Sequence, residues 1–504
     1  MSSLVEKDTS GIYSVGAGEA EMPTERTRAF KKFSKLTPYK FRVAGQVGPI
    51  HYKADPFSAS EQFKEIDLTV ELTPTESWDA ACETNGYQVR FWQSRIIGGK
   101  TIRYIAQFRR AGKWIGMAPI ALLWVNGANQ KQLISKTQAV GAPVIDNDAY
   151  RVTWSNVFGS GIDFRYNLRP DEFFKTLIIN DKTDLPTPTI PTAGLRLVLV
   201  MALSWHGQAK AGNDFASSVT VSDFEDVEDI DSYDEDLDNS DKFDFKDDSL
   251  REIFWIQKPK AWDSFVPTEL NESAHEINVD WKLRRKGSYI FGLFSVTAQK
   301  LNHVDTVFPV YVDTDISEEQ TGASSDDCRQ THTDSITLTS TSDFMTHTSL
   351  NIGHIGARFT TVPIPQGATI DSAIFEVRTG GNGGNIQDVN VYCEDIDTAP
   401  TFTTTGTNIS ARDFTSNYVL VSQAGDANTW TELPDISSPV QEVISRGGWA
   451  SNNDLVVITH QVDNVGMCNI LFWDYTGNVS GPKFNCGYTE AGGDGFIPKV
   501  IMIT

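Results

Sequence analysis

From about residue 46 the chain alternates polar and apolar residues with a period of two. Glu65-Ile66-Asp67-Leu68-Thr69-Val70-Glu71-Leu72 and Gln88-Val89-Arg90-Phe91-Trp92-Gln93 are the clearest stretches. Successive side chains of a strand point to opposite faces, so this pattern predicts strands with one buried face. Short β-branched or aromatic runs, bounded by Gly, Asn, Asp or Pro, follow at 101–109, 114–125, 132–136, 151–154, 161–166 and 174–180. Others lie at 195–203, 251–257, 277–283, 289–297 and 307–312. Beyond residue 328 strands are predicted at 335–339, 356–362, 369–378, 388–393, 417–421, 455–461, 470–474 and 498–503. Helical periodicity is nearly absent. One short helix is predicted over 438–446, with Val440, Val443 and Ile444 on its apolar face, Ser438 or its neighbour as cap and Gly447-Gly448 as stop. The fold class expected is all-β, as two consecutive β-sandwich units of jelly-roll type.

Punctuation along the chain gives the domain expectations. Residues 1–45 read as an N-terminal arm, small and polar at first and then basic through Arg28, Lys31, Lys32, Lys35 and Lys40. Residues 46–313 read as the first sandwich, 314–321 as a linker and 322–504 as the second sandwich. The stretch 223–248 holds fourteen acidic residues and two lysines. Like charges at that density favour an extended, solvated insertion, placed here at about 207–250. Within it Asp234-x-Asp236-x-Asp238 has the spacing of a calcium loop, but Asn239 and Phe245 stand where that loop needs Gly and Glu. No cofactor is expected, with structural calcium as the one open alternative.

Composition narrows the function. A net charge of −23 over 504 residues disfavours a general nucleic-acid binder. The most apolar stretch, 195–203, is too short to span a bilayer as a helix, so no membrane insertion is expected. The N-terminus shows no basic start followed by an apolar run, which predicts a product made in the cytoplasm without a signal peptide. Cys82, Cys328, Cys393, Cys468 and Cys486 are widely spaced and lack a CxxC pair. They read as free thiols, with a Cys468–Cys486 disulfide as the alternative.

The search for chemistry finds no P-loop, no GxSxG elbow and no HExxH. No catalytic residue and no metal site is assigned. Asp395 and Asp397 alternate to one face near a strand end, suited to a turn or to a cation. His347 and His354 stand seven apart across a turn as a candidate metal pair, and His51 reads as packed on a strand. Sugar binding needs exposed aromatic platforms beside hydrogen-bonding groups. Trp430, Trp449, Trp473, Tyr475 and Tyr488 are the candidates after residue 322. Trp473 and Tyr475 share a strand face just before a turn and are the assigned glycan-binding pair; Trp449 is expected in the core. Trp92, Trp114, Trp124 and Trp154 also read as core.

Two resemblances enter on specific runs. Arg358-Phe359, Val362-Pro363-Ile364-Pro365-Gln366-Gly367-Ala368-Thr369-Ile370, Ala373-Ile374-Phe375-Glu376-Val377 and Cys393-Glu394-Asp395-Ile396-Asp397-Thr398-Ala399-Pro400 form the first. With Ser438-Pro439-Val440-Gln441-Glu442-Val443-Ile444 they resemble the DNRLRE-type β-sandwich, related to carbohydrate-binding modules, over about 322–504. The name-giving motif is absent; Asp326-Asp327-Cys328-Arg329-Gln330 stands near its place. Gly48-Pro49-Ile50-His51-Tyr52-Lys53, Val157-Phe158-Gly159-Ser160-Gly161 and Phe308-Pro309-Val310-Tyr311-Val312-Asp313 carry the second. Their order over 24–313 is similar to the β-rich segment before such a domain in YD-repeat proteins and some phage structural proteins.

The expected function is therefore a non-enzymatic structural protein of a phage virion, a head or tail decoration or a fibre-associated component. Its expected partners are other virion proteins, or itself in a homo-oligomer, and a host-surface glycan. A bacterial surface glycan-binding adhesin is the alternative. A polysaccharide-active enzyme with a C-terminal targeting module is the third reading.

Overall fold

The computed structural model describes residues 12–37, 39–46, 48–73, 78–97, 100–170, 172–206, 233, 235–237, 242–246, 252–265, 275–286, 289–318, 325–330, 336–338, 340, 342–346, 353–381, 385–404, 408–463, 466, 468–472 and 480–490. The fold is mainly β, and the strands join antiparallel sheets. Two short α-helices, Ala298–Leu301 and Ser437–Ile444, are described. The second meets its expectation, except that neither Ser438 nor Ser437 caps it: Ile436 stands at the cap without a side-chain bond, and the Asp435 carboxylate accepts the Ser437 N–H at 2.9 Å. No helix among the described residues is long and apolar enough to cross a membrane.

The chain divides into two compact units. Unit 1 comprises Met1–Lys53, Ser58–Asp67 and Thr321–Thr504; unit 2 comprises Ala54–Phe57 and Leu68–Gln320. Unit 2 is thus an insertion in unit 1, which differs from two consecutive domains behind a free arm.

In unit 1 one six-stranded sheet runs Glu19–Glu21, Phe30–Lys35, Lys40–Gln46, Lys483–Thr489, Thr369–Arg378 and Trp430–Glu432. The second runs Ile336–Thr337, Asp327–Gln330, His354–Val362, Asn453–Gln461, Asn385–Cys393 and Val419–Ala424. Strands of the expected arm are integral to the first sheet. The basic composition concealed this, because each described cation finds a partner. Lys31 Nζ lies 2.5 Å from Glu65, Arg42 holds Glu19 at 2.7 Å, and Lys32 Nζ sits 4.8 Å over the Phe41 ring. The apolar positions between them, Phe30, Phe33, Val43 and Ala44, are fully buried. Phe30 and Val43 share one buried cluster with Phe375 and Phe484 of the same sheet, Phe359, Val391 and Leu455 of the other, and Val440 and Ile444 of the helix.

Unit 2 holds a ten-stranded and a nine-stranded sheet. Aromatic side chains from both meet. Phe91 lies 5.6 Å from Tyr166, Tyr104 lies 5.3 Å from Trp154, and Phe108 lies 5.5 Å from Phe254. Trp92, Trp124 and Trp154 are buried as expected, whereas Trp114 is half-buried. The expected linker at 314–321 is replaced over its first part by strand Val310–Glu318, paired along Glu172–Ile179. Its polar composition misled, because a strand ladder is made by the backbone. The acidic insertion lies mostly outside the described residues, but Glu235–Leu237 and Lys242–Lys246 within it are strands. Burial of Phe243 and Phe245 and the Arg284–Asp236 ion pair at 3.1 Å offset the repulsion there.

Two outcomes follow from this packing. Phe30→Ala leaves a cavity in the shared cluster and should cost about 3–5 kcal/mol in denaturant unfolding; a loss near zero would mean that the N-terminal strands are dispensable. His51 is buried, its ring Nδ1 2.7 Å from the Thr27 carbonyl, and burial pushes its pKa down to about 3. The unfolded ring gains a proton below about 6.5. Stability from this group is therefore complete above that pH and is lost as pH falls towards 3. Unfolding titrations at pH 7 and pH 4.5 should show a shallower acid loss in His51→Asn.

Candidate functional site

The carboxylates that sequence offered for chemistry are held by arginines. Asp397 Oδ1 accepts Arg446 Nε at 2.7 Å, and Asp395 Oδ1 accepts Arg446 Nη1 at 2.5 Å. A guanidinium occupies the place a cation would take, and neither carboxylate caps a turn. Arg358 lies between Asp326 and Asp454, at 2.6 Å from each, and burial pushes Asp326 up to about 6. Among the described residues no group of three or more His, Cys, Asp or Glu is placed to hold a metal. In the calcium-like run, Asp234 and Asp238 lie outside the described residues and Asp236 pairs with Arg284. All five cysteines are buried free thiols, Cys468 and Cys486 included.

The assigned pair Trp473 and Tyr475 lies outside the described residues, as does His347. Trp449 is buried, and its Nε1 donates to the Ile364 carbonyl at 2.9 Å. Tyr488 is also buried, which removes it as a platform. Trp430 is half-buried with Lys483 Nζ 3.4 Å over its ring, so that face is taken.

A different set comes together on the second sheet of unit 1. Alternation sends Ile355, Ala357, Leu455, Val457, Val389 and Val391 into the shared core. The same alternation turns His354, His460, Asn390 and Tyr392 to the opposite face, where register places Asn390 beside His460 and His460 beside His354. The segment after Cys393 folds back over part of this face, and Phe402, Ile409 and Ala399 pack on Cys328, Val456 and Ile458. A Cβ on Gly356 would stand 2.4 Å from Phe402 Cζ, so glycine is what lets that ring lie down. Arg412 ties the segment: it pairs with Glu394 at 2.5 Å and donates to the carbonyls of Asn408 and Pro400 at 3.0 Å each.

Beyond this cover the face is aromatic and open. Tyr392 lies 5.1 Å from Tyr418 and 5.1 Å from Phe414, and Phe414 lies 5.6 Å from His354. Tyr418 is 52% exposed and the neighbouring Leu420 57%. Asn390 Nδ2 donates to the Tyr392 hydroxyl at 3.1 Å. His460 Nδ1 meets His354 Nε2 at 2.9 Å, so one ring donates and the other accepts; burial lowers the His460 pKa. The result is a ledge of ring faces edged by phenol, amide and imidazole groups. It suits a ligand with an apolar face and hydroxyl edges. Sequence reasoning missed it because Tyr392 lies on one strand, while Phe414 and Tyr418 lie on a separate stretch that leads into the next. The available signal was Tyr392 on the polar side of an alternating strand.

The chain matches no family model and no curated protein. Among solved structures, a Paenibacillus xanthan lyase aligns at 7% identity with a TM-score of 0.14, over 94% of this chain and 55% of the lyase. A superposition that loose carries no argument about fold or activity.

The ledge depends on a buried ion pair. Arg412→Ala would strand Glu394, whose pKa burial already raises. Thermal or urea unfolding should show a loss of about 3–5 kcal/mol. The double change Arg412→Met with Glu394→Gln should cost less.

Proposed function

We propose that the chain is a non-enzymatic structural protein of two β-sandwich units, built for a phage particle, and that unit 1 contacts a glycan through Tyr392, Phe414 and Tyr418. The carrying observation is the ledge itself, three rings in sequence contact with Tyr418 half out in solvent. Adjacent ring faces offer a sugar's C–H face large apolar area at low entropic cost, and polar groups at the rim set orientation. Shared burial of side chains from both unit 1 sheets, and aromatic contact between the unit 2 sheets, support the sandwich reading. Engagement of Asp326, Asp395, Asp397, Glu394 and Asp454 by arginines supports a structural role for these carboxylates rather than acid–base work. The sequence resemblance to phage structural proteins supports the particle setting.

Glycan-array binding of the whole chain tests the contact. Tyr418→Ala should weaken a positive signal about tenfold, near the ~1.4 kcal/mol of one ring contact. Trp473→Ala tests the pair assigned from sequence in the same assay. Equal binding by the Tyr418 variant would remove the ledge from the account. Mass spectrometry of purified particles beside a host surface fraction tests the setting. Recovery on cell surfaces alone would favour the adhesin.

A further inference from the structure

The nine-stranded sheet of unit 2 turns Val152, Trp154, Phe164 and Tyr166 inward, all buried. The alternate positions of the same strands, Arg151, Thr153, Arg165 and Asn167, therefore lie on its other face. Register sets Arg151 opposite Asn167 and Thr153 opposite Arg165. The two arginines are thus diagonal neighbours on adjacent strands. Tyr311 lies on the same face: the Arg165 guanidinium is 5.6 Å from its ring centre, and Trp262 stacks on it at 5.5 Å. Both rings are half-buried.

Neither guanidinium is paired with a carboxylate among the described residues. The Nε atoms of Arg151 and Arg165 and the Oδ1 of Asn167 are buried without a hydrogen-bond partner. Among the described residues no carboxylate lies within ion-pair distance of either arginine. The acids on the surrounding strands are occupied. Asp313 accepts Lys175 N–H at 3.1 Å and Thr176 Oγ1 at 3.0 Å. Asp163 accepts from Asn156 N–H at 2.8 Å and Asn180 Nδ2 at 2.9 Å. Asp146 accepts the N–H groups of Asp148 and Ala149 at 3.1 Å each. Burial, and after it the Arg151 charge, lower the Arg165 pKa from its ordinary value, and the Asp313 carboxylate opposes them in part. A chain with 66 acidic residues and 43 basic ones has no shortage of carboxylates. Two adjacent, half-buried arginines without an ion pair are therefore a cost the fold offsets only in part, through Asp313 and the Tyr311 ring.

We propose that this face binds a carboxylate-bearing polysaccharide, a uronic acid polymer, through Arg151 and Arg165 beside the Tyr311–Trp262 pair. A guanidinium presents a planar fork of donors that matches a carboxylate. A uronate adds what an isolated anion lacks: hydroxyl donors for Asn167 and Thr153, and a C–H surface for the rings. Its single charge per sugar meets less repulsion from this acidic chain than a duplex nucleic acid, with a charge each ~1.7 Å, would meet. Screening within about 10 Å lets the local arginine pair act despite the distant acids. This site does not rest on the unit 1 ledge.

The test is calorimetric titration of the whole chain with sodium polygalacturonate, with neutral dextran as control. Polygalacturonate should bind, more weakly at about 300 mM than at about 50 mM NaCl, and dextran should not bind at this face. The double variant Arg151→Gln with Arg165→Gln should lose at least about tenfold in affinity, with an unchanged or higher melting temperature because the repulsion is gone. Arg165→Lys, which keeps the charge without the fork, should lose part of the affinity. Tyr418→Ala should leave polygalacturonate binding intact, which separates this proposal from the unit 1 reading. No binding by the unaltered chain, or equal binding by the folded double variant, overturns it. So does a change of oligomeric state alone in the double variant, which would place an acidic segment of a second copy on this face.

Discussion

Seven residue pairs between Lys40–Gln46 and Lys483–Thr489 hold the first sheet of unit 1 together. On one side they carry the two strands before residue 40; on the other they lead to Thr369–Arg378. Without them Phe30 and Val43 would leave the cluster they share with Phe359 and Phe484. The pairing joins positions more than four hundred residues apart in a chain of 504. Closing a loop of that length costs entropy that grows only logarithmically, so the arrangement is thermodynamically cheap but kinetically late. The insertion of unit 2 between the halves of unit 1 follows from the same closure.

Arginines are handled in two ways. In unit 1, buried carboxylates sit against arginines that also knit loops: Arg358 joins Asp326 and Asp454, and Arg412 joins Glu394 to the segment over the second sheet. Such pairs return little net stability, because both ions were taken out of water. What they fix is geometry, here the loop that presents Phe414 beside Tyr392. In unit 2 Arg284 is paired with Asp236, but Arg151 and Arg165 hold no carboxylate among the described residues, within a sheet whose inner face is closely packed aromatic rings. Local rules are broken there in a well-formed scaffold, which is where binding sites are to be expected.

Strand alternation serves both faces at once. His354–Val362, Asn453–Gln461 and Asn385–Cys393 each supply core residues on one side and candidate contact residues on the other. A rigid sheet therefore sets the spacing of Asn390, Tyr392, His354 and His460, and only Phe414 and Tyr418 depend on connecting segments. That division gives a ledge with a fixed floor.

The period-two pattern and the aromatic and β-branched runs determined that the chain is mainly β. Gly447-Gly448 and the spacing of Val440, Val443 and Ile444 determined the short helix. These features were legible because side-chain periodicity is a local property of the backbone. The place of residues 12–46 was not, since lysines read as solvated until Glu65, Glu19 and the Phe41 ring are brought beside them. The strand through 314–318 was hidden because ladder hydrogen bonds leave no mark in composition. Asp395 and Asp397 could be read as turn or cation ligands until Arg446, some fifty residues away, stood between them. The sites were the least legible part: Tyr392 with Phe414 and Tyr418, and Arg151 with Arg165 and Tyr311, meet only across strands and loops. Sequence fixes which face of its own strand a residue takes; which strands become neighbours is decided by tertiary pairing, and contact between distant segments exists only after it.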